Sequence, residues 1–519
     1  MTKSMTRPVV ALAVLFAVQS AHADPRGSAA VDAAVDSRLA DLGIPAAARC
    51  SDAVFVRRVY LDVIGTLPTA EEVEAFLHSS SPRRRAELID ALLERTEFAD
   101  YWTLKWCDLL RVKAEFPINL WPNAAAAFHR WLRASIRDGM PYDAFVRALL
   151  TSNGSNFRVA PVNFYRTAQS KDPETLARIT ALAFMGVRIE AWPEARRKGL
   201  AGFFAYVGFK PTREWKEEIV YFDSIKAIQD AHSGSMVTAV LPDGAPVELS
   251  PAVDPRIRFA DWLTAPDNRW FARNICNRAW SWLMGRGVIH EPDDIRPDNP
   301  PSNPKLLAVL ERELVASRYD LKHIFRVILN SQTYQRSSAP ASDHPDAEAQ
   351  FAHYSLRRLE AEVLIDALCQ VTGTTESYSS QIPEPFTFIP EDHRTITLPD
   401  GSITSPFLEL FGKPPRDTGL ESERNNRPTP AQRLHLLNSS HVLQKIQRGE
   451  ALRPLVSVRG REMRPKIKDL YLTILSRYPT REEVAVVAAY AQQEETQGSK
   501  ALEDLAWALI NSTEFLYRH

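Results

Sequence analysis

Apolar residues recur every three or four positions along much of the chain. The pattern is clearest in three stretches, residues 87–93, 306–314 and 360–368, where apolar and charged side chains alternate in blocks. Because an α-helix has about 3.6 residues per turn, such spacing places the apolar side chains on one face that can pack against a core. The pattern therefore predicts a fold built mainly from amphipathic helices.

Strand patterns are few and short. Two stretches carry Pro-Asp-Gly between β-branched and apolar residues: 237–249, around Pro242-Asp243-Gly244, and 395–404, around Pro399-Asp400-Gly401. Proline fixes φ at one corner of a turn, and glycine accepts a positive φ at another. Both stretches are predicted to be β-hairpins. The expected fold class is mainly α, a two-domain helical protein with small β-hairpin excursions.

A similar phrase occurs near both ends of the chain. Thr69 is followed three residues later by Glu72, and Thr480 is followed at the same spacing by Glu483. This is the spacing of a capping box, in which the two side chains bond to each other's backbone amides at a helix start. Each phrase is followed further on by Thr-Glu-Phe, at residues 96–98 and 513–515. The repeat predicts a helical-pair module that is used twice, as a structural element.

The length of 519 residues is enough for several domains at about 100–200 residues each. The first predicted hairpin and the prolines around it indicate a boundary. The prediction is a signal peptide at 1–23, an N-terminal helical domain at 24–235, a hairpin and linker at 236–255, and a C-terminal helical domain at 256–519.

The first residues have the pattern of an export signal. Lys3 and Arg7 precede a continuous apolar run at 9–18, and Ala21-His22-Ala23 has the small-x-small pattern of a cleavage site. The run is shorter than the roughly 20 residues that span a bilayer. We therefore expect cleavage near Ala23, a periplasmic or extracellular location and no membrane span.

Composition narrows the function classes. Apolar residues make up 45% and charged residues 24%, as in ordinary globular proteins. The 63 basic and 64 acidic residues leave a formal charge of −1, so no general attraction to nucleic acid is expected.

The four cysteines, Cys50, Cys107, Cys276 and Cys369, lie far apart in the sequence. They form no CxxC or CxxCH motif, so the sequence offers no covalent haem attachment and no zinc knuckle. An even count in an exported chain permits disulfides, and buried free thiols are the alternative.

Many short segments, in order, match a known family. In the first half they are residues 57–62, Gly65, 68–69, Trp102, Trp106 and 141–146; in the second they are 260–263, 277–280, 285–288, 357–362, 430–432, 436–438 and 511–517. The chain resembles the planctomycete cytochrome C-associated family, which pairs the domains of unknown function fifteen-forty-nine and fifteen-fifty-three. The resemblance covers nearly the whole chain after the predicted signal peptide and implies no established activity.

The sequence departs from this family at the haem motif. Many members place a CxxCH soon after the phrase that matches residues 186–190, whereas residues 191–198 here contain no cysteine and no histidine. Two thioether cysteines and an axial histidine are required to hold haem c. The resemblance therefore implies a branch without haem, and no cofactor and no metal are expected.

The candidate site is a polar segment and the helix after it. Arginine forks suit carboxylate, sulfate or phosphate groups, and the acidic and histidine side chains could transfer protons or pair with the arginines. The candidate ligand-binding residues are Arg416, Asp417, Glu421, Glu423, Arg424, Arg427, His435, Asn438 and His441. They could form a pocket for an anionic sugar or a peptide carboxylate. The alternative is an internal ion-pair network that pins a long connection onto the helical body.

Aromatic residues offer a weaker candidate. Trp102, Trp106, Trp121 and Trp131 could form a sugar-stacking platform, although aromatic residues near helical spacing are more often part of a core.

Two functions remain open from the sequence. The first is a non-catalytic binding or scaffold protein of the periplasm or cell surface, whose partner is an envelope protein or a glycan and not nucleic acid. The alternative is a hydrolase acting on polysaccharides or sulfate esters, with Glu421 or Glu423 and His435 as acid–base groups.

Overall fold

A computed structural model describes residues 25–389, 392–457, 463–493, 496 and 498–519. The predicted signal peptide lies outside the described residues. Among the described residues, no helix combines the length and the hydrophobicity that crossing a bilayer requires.

The fold is mainly α, as predicted. Helices of the first half are α1 (Pro25–Leu42), α2 (Asp52–Ile64), α3 (Ala70–His78), α4 (Arg84–Leu93), α5 (Thr96–Leu109), α6 (Pro122–Arg137), α7 (Tyr142–Thr151), α8 (Asn163–Arg166), α9 (Pro173–Met185), α10 (Glu194–Ala201) and α11 (Ser224–Ser233). Short 3₁₀ turns lie at Ala160–Val162, Ile189–Ala191 and Gly202–Phe204.

Helices of the second half are α12 (Pro255–Leu263), α13 (Phe271–Met284), α14 (Pro304–Ala316), α15 (Leu321–Asn330), α16 (Ala361–Thr372), α17 (Pro406–Leu410), α18 (Pro430–Asn438), α19 (Ser440–Arg448), α20 (Arg453–Val456), α21 (Met463–Leu475), α22 (Arg481–Tyr490), α23 (Ser499–Ile510) and α24 (Thr513–Leu516). Further 3₁₀ turns lie at Thr395–Thr397 and Glu421–Glu423.

The sheets are small and antiparallel. The strands are β1 (Gly154–Ser155), β2 (Val207–Pro211), β3 (Glu218–Phe222), β4 (Ala239–Val240), β5 (Pro246–Val247), β6 (Arg357–Arg358) and β7 (Tyr517–Arg518). The first three form a sheet in the order β1-β3-β2, in which Val220 lies opposite Gly154 and Phe209. The sequence pattern did not indicate this sheet.

One predicted hairpin is confirmed and the other is wrong. β4 and β5 pair on either side of Pro242-Asp243-Gly244. At 395–404, by contrast, Thr395–Thr397 forms a 3₁₀ turn whose backbone amides at Thr395 and Ile396 donate to the Asp366 carboxylate at 2.7 and 3.1 Å. The second stretch therefore bonds to helix α16 instead of pairing with itself.

The predicted capping boxes are present at both ends of the chain. Thr69 and Glu72 exchange their reciprocal bonds at the start of α3, and Thr480 and Glu483 do so at the start of α22. The glutamate of each box is also bound by an arginine that holds the glutamate of the following Thr-Glu-Phe. The arginine is Arg95 in the first module, bridging Glu72 and Glu97, and Arg477 in the second, bridging Glu483 and Glu514. Each module thus has an equivalent arginine bridge, although the two arginines occupy different positions relative to the capping box.

The two sequence halves pack around a continuous core. Helix α1 lies against α14 and α15, and α5 lies against α2 and α6. Trp102 on α5 meets Trp282 on α13 and Phe325 on α15, with ring centroids 5.5 and 4.2 Å apart. Trp102 and Trp106 are buried in this core, whereas Trp121 and Trp131 are only partly buried.

All four cysteines are free thiols. Cys50, Cys107 and Cys276 are buried and Cys369 is partly buried. Burial raises the pKa of Cys107 to about 12, because removal from water disfavours the thiolate. Such a thiol is a packing group and a poor nucleophile.

Candidate functional site

The polar segment 416–427, here called the connector, lies against α5 and α16. Arg416 at its start is 1% exposed, and its guanidinium donates to Asp108 on α5 at 2.8 Å and to the Val112 carbonyl at 3.1 Å. Gly419 adopts φ +76, and a Cβ there would come within 2.6 Å of the Leu109 carbonyl. Only glycine allows both this conformation and so close an approach to the helix end.

Arg424 forms the strongest bonds of the connector. Its two terminal nitrogens donate to the two oxygens of Glu362 on α16, at 2.6 and 3.0 Å, and one of them also donates to Asp108 at 2.6 Å. The Arg424 side chain is only 6% exposed. Burial alone would lower the pKa of Arg424, but Glu362 and Asp108 raise it well above its ordinary value. The guanidinium is thus held charged between two helices.

Two acidic side chains shape the connector itself. Glu423 accepts hydrogen bonds from the backbone amides of Asp417 and Thr418, at 3.2 and 2.7 Å. The Asp417 carboxylate accepts from Lys113 Nζ at 2.7 Å. These bonds close the connector into a compact turn and anchor it to the chain that follows α5.

Glu421 lies where the connector meets α13. Its backbone amide donates to Asp293 at 2.6 Å, and Asp293 is itself fully buried in a salt bridge with Arg278. The Glu421 carboxyl accepts from the indole N–H of Trp282 at 3.3 Å. Burial raises the pKa of Glu421 above its ordinary value, because the charged form is removed from water.

The remaining polar candidates are exposed. Arg427 and Asn438 face solvent, and among the described residues neither side chain forms a hydrogen bond or an ion pair within the structure. They do not converge with Arg416 and Arg424.

The two histidines belong to a separate cluster. His435 and His441 lie 5.7 Å apart by ring centroids, beside Phe407 and Phe411. His441 Nε2 lies 2.9 Å from Glu376, whereas His435 Nε2 is buried without a hydrogen-bond partner among the described residues. Burial lowers the pKa of His435, which favours its neutral form.

A second set of buried charges, which the sequence did not suggest as a site, extends from the connector. Glu360 at the start of α16 forms a salt bridge with Lys105 of α5 and accepts from the Tyr101 hydroxyl at 3.0 Å. Lys105, Arg518 and Arg424 hold the pKa of Glu360 well below its ordinary value, against the opposing effect of burial.

Asp62, at the end of the family-matching segment 57–62, completes this set. It accepts from the hydroxyls of Tyr334 and Tyr354 at 2.9 and 2.8 Å, and it lies 3.2 Å from the Arg518 guanidinium and 3.3 Å from that of Arg357. Pairing of β6 with β7 places Arg357 opposite Arg518. The sequence did contain a hint of this site, since the family-matching segments 57–62 and 357–362 each contain arginines and carboxylates. The pairing could not be predicted, because the contacts join residues hundreds of positions apart.

Together these groups form the seam network, which runs between α2, α5 and α16. Its members are Asp62, Tyr101, Lys105, Asp108, Tyr334, Tyr354, Arg357, Glu360, Glu362, Arg416, Arg424 and Arg518. Carboxylates and cations alternate along it, and each carboxylate lies in a salt bridge with at least one cation of the network. Among the described residues, no group of three His, Cys, Asp or Glu side chains is arranged to hold a metal ion.

Comparison with known families gives two matches. Residues 30–190 match a family described as Protein of unknown function (DUF1549), and residues 255–491 match one described as Protein of unknown function (DUF1553). No curated protein and no solved structure matches the chain. Asp62, Lys105 and Asp108 come from the first matched segment and Glu360, Glu362 and Arg424 from the second, so the seam network joins the two.

Proposed function

The chain belongs to the planctomycete cytochrome C-associated family, whose two domains of unknown function it carries, and on this premise we propose that it is a non-catalytic binding or scaffold protein of the periplasm or cell surface. Its partner would be an envelope protein or a glycan.

The seam network supports a non-catalytic role, because its charged groups are bonded to one another. An acid–base catalyst must bring a titratable group within hydrogen-bond reach of a reacting atom. Arg416 and Arg424 are instead bonded to buried carboxylates, and Glu423 is bonded to backbone amides of its own turn. These groups hold the two halves of the chain together.

The proposed location is tested by expression with the native N-terminus in a Gram-negative host, followed by fractionation and mass spectrometry of the purified chain. We expect the protein outside the cytoplasm with Asp24 as its first residue. A full-length chain that remains in the cytoplasm would contradict export. The same sample should lack a Soret band, because the sequence has no CxxCH.

One observation supports hydrolysis as a second candidate. Glu421 has a raised pKa beside an indole N–H, and a raised pKa is a property that general-acid carboxyl groups share. A panel of polysaccharides and sulfate esters should show no turnover if the protein is non-catalytic. Turnover that is lost in Glu421→Gln and retained in Arg427→Ala would instead support the hydrolase.

A further inference from the structure

A cleft of about 610 Å³ opens between α6 and residues of the stretches 385–388 and 393–403. One wall comes from the first family segment and the other from the second. The volume lies within the range of about 300–1,000 Å³ that is typical of small-molecule sites. The cleft is separate from the seam network and contains none of the candidate residues identified from the sequence.

Three buried polar atoms in the cleft lining lack hydrogen-bond partners among the described residues. They are His129 Nε2, Thr387 Oγ1 and Asp400 Oδ2, on side chains that are 7%, 2% and 3% exposed. Eighteen such atoms occur among the described residues, and three of them lie on residues that line this one cleft.

The two carboxylate oxygens of Asp400 differ in their hydrogen bonds. Its Oδ1 accepts from the backbone amides of Ala114 and Ser402, at 2.8 and 2.9 Å. These bonds fix the carboxylate, while Oδ2 accepts none from the described residues. An acceptor is therefore held in a fixed position without a donor among the described residues.

The chemistry of the three groups fits hydroxyl groups best. The Asp400 oxygen accepts a hydrogen bond, and the Thr387 hydroxyl can both donate and accept. Burial lowers the pKa of His129 to about 3, so its imidazole is neutral at pH 7 and also hydrogen-bonds as a neutral group. A sugar hydroxyl can serve each of them, whereas a carboxylate or sulfate beside Asp400 would face its negative charge. Two arginines also line the cleft: Arg133 is already in a salt bridge, and Arg130 is exposed.

Aromatic rings flank these polar groups. Phe386 and Phe388 line the cleft and are 53% and 76% exposed. Phe386 contacts Trp121 at 5.6 Å between ring centroids, and Trp121 contacts the exposed Trp215 at 6.3 Å. Exposed aromatic rings grouped on one surface commonly mark a binding site. A pyranose ring presents C–H groups on its faces and hydroxyls on its edge, which matches aromatic rings beside buried polar atoms.

The backbone at Trp121 is strained. Its φ is +71 and its ψ is 146, a conformation that is nearly confined to glycine. Trp121 directly precedes α6, whose side chains form one wall of the cleft. Such strain is found most often where a side chain must be held for function.

We infer that this cleft binds a neutral oligosaccharide, whose rings stack on Phe386 and Phe388 and whose hydroxyls bond to His129, Thr387 and Asp400. The inference deepens the proposed function and rests on it, since it specifies a glycan as the ligand of a non-catalytic binding protein.

The test uses calorimetric titration of the mature chain with a panel of neutral hexasaccharides: cellohexaose, xylohexaose, mannohexaose and laminarihexaose. Oligogalacturonate and a sulfated oligosaccharide of similar length provide the charged comparison. We expect saturable binding of at least one neutral ligand and weaker binding of both charged ones. Failure of all four neutral ligands to saturate, or tighter binding of a charged one, would overturn the inference.

Variants locate the binding. Phe386→Ala and Phe388→Ala should each weaken the affinity for the neutral ligand about tenfold, with little change in Tm because both rings are already exposed. Tyr490→Ala is the matched control, because its ring is 37% exposed and does not line the cleft. An equal loss in the control, or none in the two phenylalanine variants, would contradict the proposed site.

Thr387→Val best separates a role of the hydroxyl in binding from a role in folding. The two side chains are nearly equal in size, and the Thr387 hydroxyl has no partner among the described residues. The substitution should weaken sugar binding while Tm stays the same or rises. A fall in Tm with unchanged affinity would show that the hydroxyl serves the fold and would count against the inference.

Failure of the inference and failure of the proposed function give different results. Binding at the cleft followed by cleavage of the sugar would leave the inference intact and refute the non-catalytic role. An exported chain that binds none of the neutral ligands would refute the inference alone.

Discussion

The two halves of the predicted polar site differ in what surrounds them. At residues 416–424 the arginines are buried and bonded to Asp108 and Glu362. At residues 435–441 the histidines are half-buried beside Phe407 and Phe411, and His435 Nε2 has no partner among the described residues. Polar residues are the majority in both stretches of the sequence. The helices against which a polar segment packs therefore determine whether its charged groups are buried in ion pairs.

The largest effect is expected for Arg424→Ala. The substitution leaves Glu362 buried without the guanidinium that bonds both of its oxygens, and breaking a buried ion pair on one side typically costs about 3–5 kcal/mol. Chemical denaturation should show the loss. Arg427→Ala, on an exposed arginine of the same connector, is the control and should change stability by less than about 0.5 kcal/mol. If the two variants were equally stable, the buried arginine would not contribute to stability, and the proposed difference between residues 416–424 and 435–441 would be wrong.

The second largest effect is expected from acid, which should lower the free energy of unfolding by protonating carboxylates of the seam network. The folded-state pKa of Glu360 is well below its ordinary value, so the folded chain binds fewer protons than the unfolded chain. The stability that this group contributes is therefore complete above about pH 4.5 and is lost as the pH falls towards the folded pKa. Melting curves from pH 7 to pH 3 should show a steep acid limb.

Glu360→Gln tests this assignment. It should lower Tm at pH 7 and flatten the acid limb, because one of the depressed carboxyl groups is removed. An unchanged acid limb would show that other carboxylates carry the pH dependence.

A small effect of opposite sign is expected for Glu421→Gln. Because burial raises the pKa of Glu421, its charged form is less favourable in the folded protein than in the unfolded chain. Glutamine can still accept from the Trp282 indole, so the variant should unfold with a free energy unchanged or raised by about 1 kcal/mol or less at pH 7. Marked destabilisation would place Glu421 with the paired carboxylates of the seam network.

The smallest effect is expected for His435→Phe. The ring would keep its packing beside Phe407 and Phe411, and no hydrogen bond of Nε2 is lost within the described residues. Tm should change by no more than a few degrees. Because burial lowers the pKa of His435, wild type should also lose a little stability as the pH falls below about 6.5, and the variant should lack this loss. A large drop in Tm would show that the histidine cluster is as closely bonded as the arginine half.

Local rules made much of the fold predictable. The capping boxes at Thr69 and Thr480 both form, because each depends on residues only three positions apart. The hairpin at 242–244 forms for the same reason. The stretch at 395–404 has equivalent turn residues, but Asp366 on a distant helix binds its amides instead. A tertiary bond outweighed the local preference.

The sequence was enough to predict the helical class, the helix starts at Thr69 and Thr480, the family and the charged residue types of the connector. The tertiary structure determined which charges pair, such as Arg424 with Glu362 and Asp62 with Arg518. It also placed Thr387 and Asp400, each with an oxygen that has no partner among the described residues, in one cleft with Phe386. The physical reason is range. Capping and periodicity act within a few residues, whereas burial and ion pairing depend on which distant segments share one low-dielectric interior.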